Sequence, residues 1–262
     1  MQLSAATLVF GCVSQVQVVV PETSSGKGVY VKVEGGYAMS QKENFKVDAP
    51  YNGWDGVNPA DANFKAGNDD FKNRIGNSAL FGFGVGYRIN DMFRADLSYH
   101  QRDNFKYAKT FAGVVDNSTA VAYNYERTHN MKNKTLALNG YADLARVLNL
   151  AHSFISPYAG VGLGVSWNTL RDAVTVRTAT DFNTETFAPI ESKTKTSFTW
   201  NVTVGSTFKV SRNFDVDFGY RFADLGRFES GTRAADFAGE LTPLKTRSTY
   251  IHELYIGLRM SV

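Results

Sequence analysis

Eight stretches of the chain alternate apolar and polar residues with a period of two, the signature of β-strands with one apolar face. They are Val29–Met39, Ser78–Ile89, Phe93–Gln101, Thr135–Leu144, Ile155–Trp167, Phe198–Val210, Phe214–Phe222 and Tyr250–Val262. In the second, Phe81, Phe83, Val85, Tyr87 and Ile89 share a face, against Gly82, Gly84, Gly86 and Arg88. In the seventh, Phe214, Val216, Phe218, Tyr220 and Phe222 oppose Asp215, Asp217, Gly219 and Arg221. Each stretch is about as long as a tilted strand needs to cross a bilayer.

The connections differ in length. Asn90-Asp91-Met92 and Ser211-Arg212-Asn213 read as tight polar turns, and Ala145–Phe154 is of medium length with room for a helical turn. Ser40–Asn77, Arg102–Lys134, Asn168–Ser197 and Ala223–Thr249 read as long loops. Long structureless loops are out of place in a compact soluble domain. Short turns at one end and long loops at the other fit a transmembrane barrel. The expected fold is all-β: an eight-stranded antiparallel up-and-down barrel, with both termini periplasmic and four long loops outside.

Alternation alone does not say which face is out, because a soluble barrel alternates too. The apolar face carries aromatics near both strand ends. Tyr87, Phe93, Phe208 and Phe214 lie by the short turns; Tyr37, Phe81, Tyr99, Trp167, Trp200, Phe222 and Tyr250 lie by the long loops. Two such bands are the interfacial girdles of a membrane barrel. The polar face is rich in glycine, which suits a narrow, filled interior and is a poor choice for a water-facing strand. It also carries both signs of charge: Lys32, Glu34, Arg88, Arg94, Asp96, Asp143, Lys209, Asp215, Asp217, Arg221, Glu253 and Arg259. Eight strands enclose room for side chains alone. Buried charges must pair, so these twelve are expected to form a polar network in the lumen. Pro157 and His252 have lipid-face parity. The first is tolerable near a strand start, and the second lies where a polar ring can reach the headgroups.

Composition removes the competing classes. The 262 residues are 43% hydrophobic and 20% charged, with one cysteine. The mean hydropathy of −0.25 and the absence of a 20-residue apolar run exclude a multi-span helical protein. Cys12 alone makes no disulfide framework. The net charge of +3 is spread along the chain without a basic block, so nucleic acid is not an expected partner. Residues 1–26 read as a signal-like segment, cleaved or shortened, and 27–262 as a single barrel domain. The segment lacks the basic start and clean cleavage site of a secretory signal. Lipid attachment at Cys12 is the alternative to its loss with such a signal.

Candidate chemistry is sparse. His100, His129, His152 and His252 are scattered, with no metal-ligand spacing. The glycine runs at 82–86 and 160–164 open no helix and cradle no phosphate. No cofactor and no catalytic residue is expected. A lipid-modifying enzyme would need a His/Glu/Ser set, for which His100 and Glu253 are inward candidates near the long-loop end.

Several segments resemble a known family: Leu138-Asn139-Gly140-Tyr141-Ala142-Asp143-Leu144, Ile155-Ser156-Pro157-Tyr158-Ala159-Gly160-Val161-Gly162, Asn213–Asp217, Phe218–Gly226 and His252–Arg259. The chain is similar to the small outer-membrane β-barrel porin family of Gram-negative bacteria, which includes the opacity-type surface antigens and OmpA-like barrels. It departs from them in ending on Val262, where such barrels commonly end in an aromatic residue. The resemblance implies an outer-membrane location, contact with outer-membrane lipid, and loops that reach host-surface or matrix ligands. The functional expectation is a non-enzymatic surface antigen, adhesin or envelope-structural barrel. A small-solute porin is the alternative.

Overall fold

The computed structural model describes residues 28–47, 72–74, 76–115, 122–145, 148, 155–179, 184–186, 188–235 and 239–262, and a short backbone pairing of Ala5–Leu8 with Val16–Val19. The signal-like reading of 1–26 and the question of Cys12 otherwise lie outside the described residues. Among those, eight long strands close on themselves: β1 Gly28–Ser40, β2 Asn77–Arg88, β3 Phe93–Val115, β4 Ala122–Asp143, β5 Ile155–Ala179, β6 Lys193–Lys209, β7 Phe214–Asp224 and β8 Tyr250–Ser261. Each pairs antiparallel with its sequence neighbour, and β8 pairs with β1 to shut the barrel. Across the transmembrane part of the described strands closure leaves no unpaired edge, which a lipid environment requires.

The two faces are reversed relative to a water-soluble protein. Phe81, Leu138, Val161 and Phe198 are about 60% exposed, at 59%, 64%, 62% and 64%. Lys32, Glu34, Arg94, Arg221 and Arg259 are buried. Apolar side chains that cover a whole wall of this height are stable only against hydrocarbon.

Glycines make the narrow lumen possible by receiving large side chains from the next strand. Gly86 faces the ring of Tyr30, Gly160 that of Tyr141, and Gly219 that of Tyr255; a methyl at any of the three would overlap the ring. Gly82 leaves room in the same way for His100, and Gly84 for Lys32.

Two of the expected long loops are strand. β3, β4 and β5 run for 23, 22 and 25 residues, so Arg102–Lys134 and Asn168–Ser197 are for the most part an extension of the wall. About 10 residues span the bilayer. The remaining dozen project by roughly 30–40 Å along the strands at ~3.3 Å per residue. The alternation in the sequence breaks there because both outer members of the trio bulge. The β3–β4 register shifts between Arg102 and Phe105, around Asn104 at φ 68°. The β4–β5 register shifts at Thr128/Asn130, opposite Asp172 at φ 51°. Each bulge inserts a residue and re-aims the side chains beyond it. In the medium connection, Leu148 N–H donates to Leu144 O at 3.0 Å, one helical turn as anticipated.

The fourth long connection, 225–249, is folded. It doubles back as an irregular hairpin, with Leu225 N–H to Thr249 O at 2.9 Å, Thr246 N–H to Phe228 O at 3.0 Å and Leu241 N–H to Thr232 O at 2.7 Å. Gly226, at φ +77°, makes the turn into it. Its apolar residues Leu225, Phe228, Leu241 and Leu244 pack with Phe105, Tyr107, Met131, Leu170 and Ala173 from the projecting strands. The hairpin therefore lids the barrel mouth with an apolar plug.

Candidate functional site

The lumen is a ladder of ion pairs in three tiers. At the short-turn end, Arg259 Nη2 is 2.9 Å from Asp215 Oδ2 and its Nη1 is 3.1 Å from Asp217 Oδ2. Arg88 joins Asp215 at 3.3 Å and Arg94 joins Asp217 at 3.8 Å. The Arg94 guanidinium also lies over the rings of Tyr141 and Tyr158, at 4.7 and 4.6 Å. Asp143 and Lys209, both half-buried, sit at the margin of this tier.

In the middle tier, Lys32 Nζ is 2.9 Å from Glu34 Oε1 and 2.8 Å from Asp96 Oδ2. Asp96 accepts further hydrogen bonds from Ser98 Oγ, Asn139 Nδ2 and Tyr30 Oη. Tyr158 and Tyr255 meet hydroxyl to hydroxyl at 2.8 Å. In the upper tier, Arg221 Nη2 donates to Glu34 at 2.8 Å and Nη1 to Glu253 at 3.1 Å. Arg102 closes the tier, with Nε on Glu253 Oε1 and Nη1 on Asn133 Oδ1 at 2.7 Å. Such a network tolerates burial because nearly every charge has an opposite partner and supporting hydrogen bonds.

The structure brings together ten of the twelve sequence-picked residues in ion pairs: Lys32, Glu34, Arg88, Arg94, Asp96, Asp215, Asp217, Arg221, Glu253 and Arg259. It adds Arg102, Asn133 and Thr135. Arg102 and Asn133 lie just beyond the bounds that the alternation sets at Gln101 and Thr135, and Thr135, inside them, carries no charge to mark it. Arg102 keeps the inward parity of Arg94, Asp96, Ser98 and His100, and that continuation is the signal that could have found it.

His100 Nε2 lies 2.8 Å from Glu34 Oε2 and 3.1 Å from Arg221 Nη1. It therefore donates to the first or accepts from the second. The ring is buried in the lumen beneath the plug, and Glu253 is held by Arg102 and Arg221 instead. Ser98, the hydroxyl two residues away, donates to Asp96. The His100–Glu253–Ser arrangement weighed as an enzyme site is therefore not assembled at a lipid-accessible rim.

The plug is tied to the upper tier. Asn133 Nδ2 donates to Asn168 Oδ1 at 2.7 Å; Asn168 Nδ2 in turn donates to Leu225 O at 2.7 Å and Arg227 O at 3.0 Å. At the mouth, Lys193 and Lys195 reach Glu229 of the hairpin at 2.6 and 3.4 Å. The hydrogen bond from Lys193 holds the Glu229 carboxyl below its ordinary pKa. On the outer wall, His252 Nδ1 is 2.6 Å from Tyr220 Oη and its Nε2 is 2.8 Å from Gln41 Nε2, so its polarity on the lipid-facing side is met locally.

A closed barrel with an apolar exterior, aromatic bands and a paired, charged interior belongs in a membrane. The sequence profile of the outer membrane protein beta-barrel domain matches residues 3–242. The chain belongs to that family. It is a bacterial outer-membrane barrel, and its projecting strands and hairpin stand on the outer surface. A Rickettsia felis protein named as a candidate adhesin is 22% identical over 237 residues, 90% of this chain and 89% of that one. A similarly named protein of Rickettsia rickettsii is 25% identical over 179 residues, 68% of this chain and 72% of its own. Among solved structures, Neisserial surface protein A has a TM-score of 0.49 at 16% identity, covering 90% of this chain and 99% of that one.

Proposed function

We propose that the protein is a non-enzymatic surface barrel of the adhesin type, in which a filled lumen anchors a rigid projection that contacts a host surface or matrix. The observation that carries this reading is the projection itself. Three hydrogen-bonded strands rise past the bilayer and are braced by a buried apolar core. Rigid presentation lowers the ordering cost of binding a partner. The names of the rickettsial relatives agree with it. The porin alternative is disfavoured by the upper ion-pair tier and the plug, which lie in series across the lumen. The lumen network is read as structural: it fixes the barrel rather than handling a solute.

The test expresses the barrel on a non-adherent bacterium, with and without residues 106–130 replaced by a two-residue Asn-Gly turn. Binding to epithelial cells or to matrix-coated wells is then counted. Loss of binding with the shortened barrel, still folded by its heat-shifted gel mobility, is the expected result. Equal binding by both forms would overturn the reading. Planar-bilayer recording of the intact protein should be silent; steady conductance would favour the porin instead.

A further inference from the structure

The register of the wall places every outward-facing rung of β3–β5 at a known height. The last apolar rung is Tyr99–Leu136–Val165–Phe198. Directly above it come Gln101–Lys134–Trp167, then Lys132–Thr169, then Lys106–Asn130–Arg171. Four cations thus stand on three successive rungs, beginning at the aromatic girdle. Neighbouring strands lie ~4.8 Å apart and alternate residues ~7 Å apart along a strand, so the patch is about 15 Å across. Lys134 and Lys106 are exposed, and no ion pair engages either among the described residues. Lys132 shares Asp103 at 3.3 Å and Arg171 lies 3.7 Å from Asp172, which leaves the patch net positive.

The rest of the wall differs. At the matching height the outward positions of β6–β8 and β1–β2 are Thr194, Thr196, Trp200, Phe222, Asp224, Tyr250, His252, Met39, Gln41, Asn77 and Ala79, with no Lys or Arg. Among the described side chains at these wall positions, the cations therefore lie on the β3–β5 side, at the level where lipid headgroups meet water.

We propose that this side of the barrel binds a phosphorylated lipid headgroup of the outer leaflet. Lys134, Lys132, Lys106 and Arg171 would take the phosphates, while the apolar wall below, with Leu136, Val165 and Trp167, takes the acyl chains. The height of the patch selects a lipid over a soluble polyanion. A ligand approaching from the medium would meet the projecting tip and hairpin first, whereas a headgroup is presented to these rungs by the membrane itself. Basic side chains at a membrane surface contribute about 1 kcal/mol each, so the two net positive charges give an enrichment on the order of 30-fold before screening.

The experiment incorporates the whole barrel into nanodiscs of phosphatidylcholine doped with diphosphoryl lipid A, dephosphorylated lipid A or neither. Lipid retained after extraction into mild detergent is measured by native mass spectrometry. Intact protein is expected to retain diphosphoryl lipid A at least ten times better than the dephosphorylated form. The combined variant Lys106→Gln, Lys132→Gln, Lys134→Gln and Arg171→Gln should lose that preference. The variant Lys193→Gln with Lys195→Gln, whose cations face Glu229 at the mouth, should keep it. Lys134→Arg serves as a mild variant that preserves charge and should also retain the preference, so a fold defect in the fourfold variant leaves the proposal testable by Lys134→Glu against Lys134→Arg. Equal retention of both lipid A forms would overturn the proposal. So would equal loss in the mouth variant, or capture of a soluble sulfated polysaccharide with no lipid preference.

Discussion

Gly219→Ala tests whether the lumen glycines exist to receive tyrosine rings. A methyl built on Gly219 sits 2.6 Å from Tyr255 Cε1 and closer still to Cζ and Oη. Carbon pairs rest at about 3.5–4.0 Å, so the ring must withdraw by about 1 Å. It has nowhere easy to go. Its hydroxyl is hydrogen-bonded to Tyr158 Oη at 2.8 Å, and the Arg221 guanidinium lies 4.6 Å from its centroid. Overpacking costs about 1–3 kcal/mol. Loss of the hydroxyl pair adds about 1 kcal/mol, and weakening of a desolvated cation–π contact adds up to about 2 kcal/mol. The expected destabilisation is about 3 kcal/mol. Urea unfolding in lipid vesicles, followed by tryptophan fluorescence, measures it. A second comparison isolates the cause: in a Tyr255→Leu background the same Gly219→Ala change should cost less than 1 kcal/mol, because the far end of the ring is gone. An undiminished cost in that background would refute steric reception of the ring, and so would a single-variant loss below 0.5 kcal/mol.

Arg221→Met takes one cation from a buried cluster in which Glu34 keeps Lys32 and Glu253 keeps Arg102, so Lys32 and Arg102 are left to balance Glu34, Asp96 and Glu253. It should destabilise the barrel by about 3–5 kcal/mol, read from the same urea transition. Asn168→Ala removes one of the two side-chain donors to each of the Leu225 and Arg227 carbonyls, leaving Ser166 Oγ on the first and Ser197 Oγ on the second, and cuts the link to Asn133. It should cost the lid about 1–3 kcal/mol, seen as faster amide exchange in 225–249 with exchange in β6–β8 unchanged. Glu229 has a folded pKa below its ordinary value of about 4.3. Its contribution to lid docking is therefore full above that value and declines as pH falls through the lowered one. Protease clipping of the hairpin should rise on acidification from pH 5 to 2, and Glu229→Gln should clip at pH 5 much as the intact protein does at low pH.

The barrel was legible because its rule is local. A period of two, read segment by segment, places Phe81 outward and Gly82 inward with no knowledge of their neighbours, and all eight strands begin or end near where the alternation does. The charged lumen followed from the same parity. What lay hidden depends on events between segments. The insertion at Asn104 flips the face of β3, so Phe105 and Tyr107 point inward where Gly82's partner His100 had been on even numbers. An unbroken template stops at the bulge and names the remainder a loop. The lid was hidden for a different reason: Leu225, Phe228, Leu241 and Leu244 follow no period, and their common destination exists only once β3–β5 have risen to meet them. Arg102 fell in the gap between the two, at the last position before the flip.

The apolar plug sets how the molecule responds to temperature. While the wall stays folded, its apolar face stays in hydrocarbon and its lumen stays paired, so opening of the mouth alone brings no wall hydrocarbon into water. The residues that leave water when the mouth closes are those of the plug. Apolar hydration carries the positive heat capacity of unfolding and weakens on cooling. Calorimetry should therefore resolve a mouth-opening step with a small heat-capacity change, separate from unfolding of the wall. On chilling, the mouth should loosen while the transmembrane wall holds, so that the exposed face of the protein is the part that senses the cold.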